Sequence, residues 1–105
     1  MRGDVYRLSA PRDARGHEQD GPRYAVVVQS DDVFPWSTVL VAPTSTRAWA
    51  TSFRPQIGVN DVPTFVLTDQ VVAADPGRLG DKVGRLSHEE TLAVDDALRI
   101  VMGLL

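Results

Sequence analysis

The side chains able to do chemistry fall in four places. His17, Glu18 and Gln19 follow Gly16 in a polar stretch, and Arg23 stands just ahead of an apolar run. Thr44, Ser45 and Thr46 form a hydroxyl triplet beside Arg47, and Asp69-Gln70 sits inside a β-prone segment. An arginine offers a planar, permanently charged fork that suits a phosphate. A histidine of ordinary pKa, near ~6.5, serves as acid or base at neutral pH. Each group also has a plainer reading. Residues 9–22 read as a solvated loop, and a hydroxyl triplet after a strand can satisfy its own backbone. Other chemistries lack their residues. There is no Gly-rich phosphate loop, no HExxH, no EF-hand loop and no GxSxG elbow. No cysteine is present, so neither a disulfide framework nor a thiolate metal site exists. Two distant histidines, His17 and His88, argue against a histidine-built zinc site.

The elements that must hold these residues follow from hydrophobic patterning. Tyr24-Ala25-Val26-Val27-Val28 is a short β-branched run entered through Gly21-Pro22, and it predicts a buried strand over Arg23–Ser30. Asp4–Leu8 alternates and predicts a half-buried strand. Ser37–Ala42 predicts a third strand, interrupted by Pro43, which has no N–H for a ladder. The loop between the second and third strands is too short for a crossover, so the two are expected to be antiparallel neighbours. That arrangement would bring Arg23 and Ser45 to one end of the sheet. Phe34 and Trp36, in that loop, read as cover for the end of the core, with a partner-binding surface as the alternative.

Ala48–Phe53 reads as an extended return segment and Arg54–Asp61 as turn material. Pro63–Thr68 reads as a strand running into Asp69–Val72. Asp75–Leu79 reads as a turn or one turn of 3₁₀ helix, and Lys82–Leu86 as a last strand. Ser87 with Glu90 spells a capping box, ahead of an apolar stripe through Val94, Leu98, Val101 and Leu105. Ala97, Ile100 and Leu104 widen that stripe into a face. The sum is a mainly β (α+β) chain closed by one helix, with no repeat or internal boundary.

At 105 residues one domain is expected. The N-terminus lacks a signal-peptide pattern, and no apolar run reaches the ~20 residues needed to cross a bilayer. A cytoplasmic protein without membrane contact is the expectation. The net charge of −3 weighs against a nucleic-acid binder, yet the charge is uneven. Residues 1–54 hold seven Arg against six acids, and residues 55–105 hold four basic residues against eight acids.

With these residues in view, the chain resembles the MazF/PemK family of toxin endoribonucleases over nearly its full length. The matching pieces are Arg2–Tyr6, Gly16–Gln19, Gly21–Ser30, Pro43–Thr46, Thr68–Val71 and the terminal helix. The resemblance implies a small SH3-like β barrel of the CcdB/PemK type with a C-terminal α-helix. It also implies a homodimer, cleavage of single-stranded RNA without metal or other cofactor, and inhibition by a cognate antitoxin with an acidic tail. Arg23 falls on the family's catalytic arginine. Ser45 stands where the family usually has a catalytic threonine, flanked by Thr44 and Thr46. His17 and Asp69 match positions given acid–base work in one branch. Tyr24 replaces the proline that commonly follows the arginine. Glu18, Gln19 and Gln70 lie within the matched motifs, and with Tyr24, Arg47 and Trp49 they are the candidate substrate contacts. Two rivals share part of this pattern: a CcdB-like DNA-gyrase poison, and a barrel that binds RNA or protein without cutting. The C-terminal Gly103-Leu104-Leu105, in place of the Trp-Gly-Ile of gyrase poisons, disfavours the first.

Overall fold

The computed structural model describes residues 1–9 and 23–104. Within them, strands run β1 (Asp4–Leu8), β2 (Tyr24–Val27), β3 (Val39–Ser45), β4 (Gln56–Val59), β5 (Val62–Val66), β6 (Val72–Ala74) and β7 (Leu79–Arg85). Helix α1 (His88–Met102) follows, and 3₁₀ turns occupy Thr68–Gln70 and Pro76–Arg78. The sheet order is β4-β5-β3-β2-β1-β7, with β6 also paired to β3. All the pairings are antiparallel. This is a curled sheet, a small half-barrel closed by the helix.

Strand β2 is apolar without alternation because both of its faces are covered. Val26 joins Val5, Ala42, Ile57, Val66 and Val94 on the helix side. Ala25 and Val27 join Leu8, Val39, Val41 and Ala74 on the other side. The strand is shorter than the sequence suggests, because pairing stops at Val27 and Gln29 turns to serve the following loop. The Gln29 side chain accepts from the Leu40 N–H at 3.0 Å and donates to the Val33 carbonyl at 2.9 Å.

Strand β3 does not break at Pro43, contrary to expectation. It pairs with β2 along one edge, at Val41, Ala42 and Pro43. Along its other edge it changes partner, from β6 at Val39–Val41 to β5 at Thr44–Ser45. The Pro43 carbonyl accepts from the Leu67 N–H on that second edge, at 2.8 Å. The proline nitrogen therefore faces the junction between the two partners, where a missing donor costs no ladder bond. The exchange of partners also curls the sheet, and register shifts between β1 and β7 add to the curl.

Four more expectations are corrected. Residues 54–61 are not all turn: Gln56–Val59 is β4, buried at Ile57 and Val59, and Asn60-Asp61 turn it into β5. Both turn residues have positive φ (50° and 64°), the signature of a tight hairpin turn. The strand after Pro63 ends at Val66, and Thr68–Gln70 coil into a 3₁₀ turn before β6. Ala48–Phe53 carries bends and a turn, with no strand. The last strand starts earlier than expected, at Leu79, and the 3₁₀ turn at Pro76–Arg78 agrees with the reading of that segment.

Helix α1 starts as expected. Ser87 Oγ accepts from the Glu90 N–H at 3.1 Å, and Glu90 accepts from the Ser87 N–H at 2.8 Å. It ends at Gly103, whose φ of 68° suits glycine. It packs as the stripe predicts only as far as Leu98: Val94 and Ala97 are buried and Leu98 packs on the core, while Ile100, Val101, Met102 and, beyond the helix, Leu104 stay exposed. Phe34 and Trp36 do not cover the core. They pack against each other with ring planes tilted by 60° and centroids 4.8 Å apart, and remain 65% and 86% exposed. No helix among the described residues is long and apolar enough to cross a membrane.

Candidate active site

The β2–β3 register pairs Ala25 with Pro43. Continued by two residues, it levels Arg23 with Ser45 at one end of the sheet. The next strand extends the row, because Ser45 pairs with Phe65 and Phe65 with Gln56. At a strand spacing of roughly 4.8 Å, the row from Arg23 to Gln56 covers roughly 14 Å. Arg23 is half-buried, and its backbone is tied to β1 by the Leu8 N–H, which donates to the Arg23 carbonyl at 2.8 Å. Its guanidinium has no ion-pair partner among the described residues. Tyr24, beside it, is half-buried against the helix-side core and carries packing as well as any contact role.

The three hydroxyls have different surroundings. Thr44 is buried, and its Oγ1 donates to the Tyr24 carbonyl at 3.4 Å, so that donor is spent between the strands. Ser45 Oγ accepts from the Arg47 N–H at 3.1 Å, which leaves its own proton to give. Thr46 is exposed. The segment that leaves Ser45 carries Arg47 and Trp49, both exposed, with Trp49 at 85%.

Asp69 lies in the 3₁₀ turn after β5, close to the start of β4. Its carboxylate receives a forked contact from Arg54: Nε donates to Oδ1 at 3.1 Å and Nη2 to Oδ2 at 2.7 Å. The Arg54 hydrogen bonds hold the Asp69 carboxyl below its ordinary pKa, and Asp69 in turn raises that of Arg54. An aspartate so held is a weak base, because its proton-accepting oxygens are already engaged. Gln70 is exposed beside it. In the sequence Arg54 reads as turn material. No local signal betrays it, because its partner stands fifteen residues away and meets it only through the β4–β5 hairpin. His17, Glu18 and Gln19 lie outside the described residues.

An apolar groove lies elsewhere among the described residues. A cavity of about 460 Å³ opens between the second half of α1 and the β2–β3 loop, lined by Val28, Val33, Leu40, Leu98 and Met102 among others. It holds none of the residues above. Among the described residues, no group of three or more His, Asp or Glu side chains is disposed to hold a metal ion.

Comparison with known proteins gives this arrangement its context. The profile of the PemK-like, MazF-like toxins of type II toxin–antitoxin systems matches residues 1–102. A candidate toxin of Mycobacterium tuberculosis is 41% identical over 105 residues, covering 99% of this chain and 98% of the relative. Among solved structures, an endoribonuclease from a mycobacterial species in complex with its cognate antitoxin superposes with a TM-score of 0.79 at 19% identity, covering 100% of this chain and 96% of the other. The Mycobacterium tuberculosis toxin MazF-mt6 gives 0.76 at 18%, covering 97% of this chain and 98% of the other. MazF from Deinococcus radiodurans gives 0.72 at 22%, covering 97% and 94%. The structural likenesses carry the fold; the profile and the close relative carry the family, and the chain belongs to the PemK/MazF-like toxins of type II toxin–antitoxin systems.

Proposed function

We propose that this chain is an endoribonuclease that cuts single-stranded RNA at short sequences without a metal ion. The observation that carries the reading is the register that levels Arg23 with Ser45, an anion-binding fork beside a hydroxyl with a proton to give. The chemistry is transesterification. The substrate's 2′-hydroxyl attacks the adjacent phosphorus, the bond from phosphorus to the 5′-oxygen breaks, and the leaving oxygen takes a proton. The products are a 2′,3′-cyclic phosphate and a 5′-hydroxyl end. The Arg23 guanidinium stabilises the charge that builds on the phosphorane. Ser45 donates to a non-bridging oxygen, and Thr44 and Thr46 support it. His17 is the base by its residue type, because Asp69 is held by Arg54. Acid–base groups in such a role contribute about 10²–10⁴-fold each.

Arg47, Trp49 and Tyr24, with Glu18, Gln19 and Gln70, are assigned to reading the bases, since single-stranded bases stack on aromatic and Arg surfaces. A homodimer is supported by the apolar residues that α1 leaves exposed at Ile100, Val101 and Leu104. The antitoxin is assigned an acidic tail that competes with RNA for Arg23 and Arg47. A mycobacterial structural neighbour is described in complex with its cognate antitoxin, which agrees with such a partner.

The test is purified protein incubated with a long single-stranded RNA in the presence of chelator. Discrete fragments with 5′-hydroxyl ends are expected. Intact RNA would favour a barrel that binds without cutting. Hydrogen in place of the 2′-hydroxyl at the mapped site should abolish cleavage, and a cut deoxy substrate would overturn the mechanism.

A further inference from the structure

Residues 46–55 form an irregular segment that runs from Ser45 at the end of β3 to Gln56 at the start of β4. It is anchored at both ends. At the first, Ser45 Oγ accepts from the Arg47 N–H at 3.1 Å. At the second, three contacts converge. Arg54 forks onto Asp69, Thr68 Oγ1 donates to the Phe53 carbonyl, and the Val66 N–H donates to the Pro55 carbonyl at 2.9 Å. The guanidinium carbon also lies 5.8 Å from the centre of the Phe53 ring. Between the anchors stand Arg47 and Trp49, which make little contact with the rest of the fold: Trp49 is 85% exposed. An exposed indole on a loose segment would lose much of a stacking contact to the entropy of ordering it, whereas a segment held at both ends has met most of that cost before binding.

We propose that Arg54 is a positioning residue: by clamping the 46–55 segment to Asp69, it presents Arg47 and Trp49 to single-stranded RNA at the edge that holds Arg23 and Ser45. The proposal rests on the nuclease reading above and adds a residue to it. Two consequences follow from removing the guanidinium. The second anchor loses its ion pair and rests on the Thr68–Phe53 hydrogen bond, and the Asp69 carboxylate is uncovered where it repels a phosphate chain. Both weaken the grip on RNA before and during the reaction alike, so KM rises while kcat stays nearly constant.

The experiment measures steady-state cleavage of a short RNA bearing the mapped site. In a Trp36→Phe background, it also measures quenching of Trp49 fluorescence by the uncleavable 2′-deoxy analogue. Arg54→Ala is expected to raise KM about tenfold with kcat within about threefold, and to lose most of the Trp49 quench. Arg54→Lys keeps the charge without the fork and should fall between. Arg54→Ala with Asp69→Ala should recover part of the loss, because no unpaired carboxylate remains. An Arg54→Ala protein that folds by circular dichroism and keeps both the parental KM and the parental quench overturns the proposal, as does a fall confined to kcat. If Arg54→Ala does not fold, Arg54→Lys and the exchanged pair Arg54→Asp with Asp69→Arg carry the same test. Failure of the nuclease reading looks different: the parental protein would cut nothing, and the Trp49 quench would still decide the clamp.

Discussion

Glu90 joins the helix to the edge of the sheet, and its removal should be felt at both. Its Oε1 accepts from the Ser87 N–H at 2.8 Å, closing the capping box, while its Oε2 accepts from the Gly58 N–H on edge strand β4 at 2.9 Å. Glutamine at this position retains one accepting oxygen and turns an NH₂ group toward the other donor. One of the two N–H groups then loses its acceptor, and the other keeps only a neutral one. A hydrogen bond to a charged group contributes about 1.5–3 kcal/mol when well buried. Glu90 is half-buried, so we place Glu90→Gln at about 1–2 kcal/mol and Glu90→Ala, which removes both acceptors, at about 2–4 kcal/mol.

For a domain of this size, each kcal/mol moves Tm by about 4–8 °C, so Glu90→Gln should melt about 5–15 °C early. The assay is thermal unfolding at a fixed protein concentration, repeated from pH 7 to pH 3. Burial pushes the Glu90 carboxyl up, but the Ser87 and Gly58 N–H groups outweigh it, and the net pKa lies below the usual value of 4.5. A folded pKa below the unfolded one means stability that is fully present above pH 4.5 and is lost as pH falls through the folded value. The gap between parent and Glu90→Gln should therefore be full at pH 7 and narrow below about pH 4. Other carboxylates titrate in both proteins and cancel in the difference. A gap of the same size at pH 3 and pH 7, or a Glu90→Ala protein as stable as the parent, would refute the reasoning.

Two further outcomes are expected. Arg23→Ala should fold normally and lose about 10²–10³-fold in cleavage rate, with Arg23→Lys between, because an ammonium supplies charge without the fork; parental cleavage by Arg23→Ala would show the site to be misplaced. Asp4→Asn should cost about 1–2 kcal/mol in urea unfolding, since the buried carboxylate accepts from Arg85 at 2.7 Å and lies 3.2 Å from Lys82, and both cations are exposed enough to regain water. Burial raises the Asp4 pKa, but Arg85 and Lys82 bring it below its usual value of 3.8, so the cost should shrink as pH falls below 3.8 and on through the folded value, and a cost that does not shrink with falling pH would refute the assignment.

Much of the site's frame was legible in the residues. The β-branched run after Arg23 specifies a buried strand, and a short loop to the next strand leaves antiparallel pairing as the one geometry available, so the sequence alone brings Arg23 and Ser45 to one end of the sheet. The capping box was equally local, because Ser87 and Glu90 satisfy each other's backbone within one helical turn. Local patterning went wrong wherever a partner far along the chain decided the outcome. Pro43 looks like a strand end until β3 is seen to change neighbours there. Gln56–Val59 looks like turn material until it pairs with β5. Ile100 and Val101 look like core until the folded chain is seen to leave them exposed.

The pairing of Arg54 with Asp69 is the clearest case of this limit. Each residue is an ordinary surface charge in the sequence, and nothing in their spacing marks them as partners. Residue type and periodicity decide what one strand or one helix can be, since those energies are local. Which strand a given edge meets, and which charge a given carboxylate faces, depends on contacts that exist only once the sheet has curled, and the tertiary structure alone supplied them.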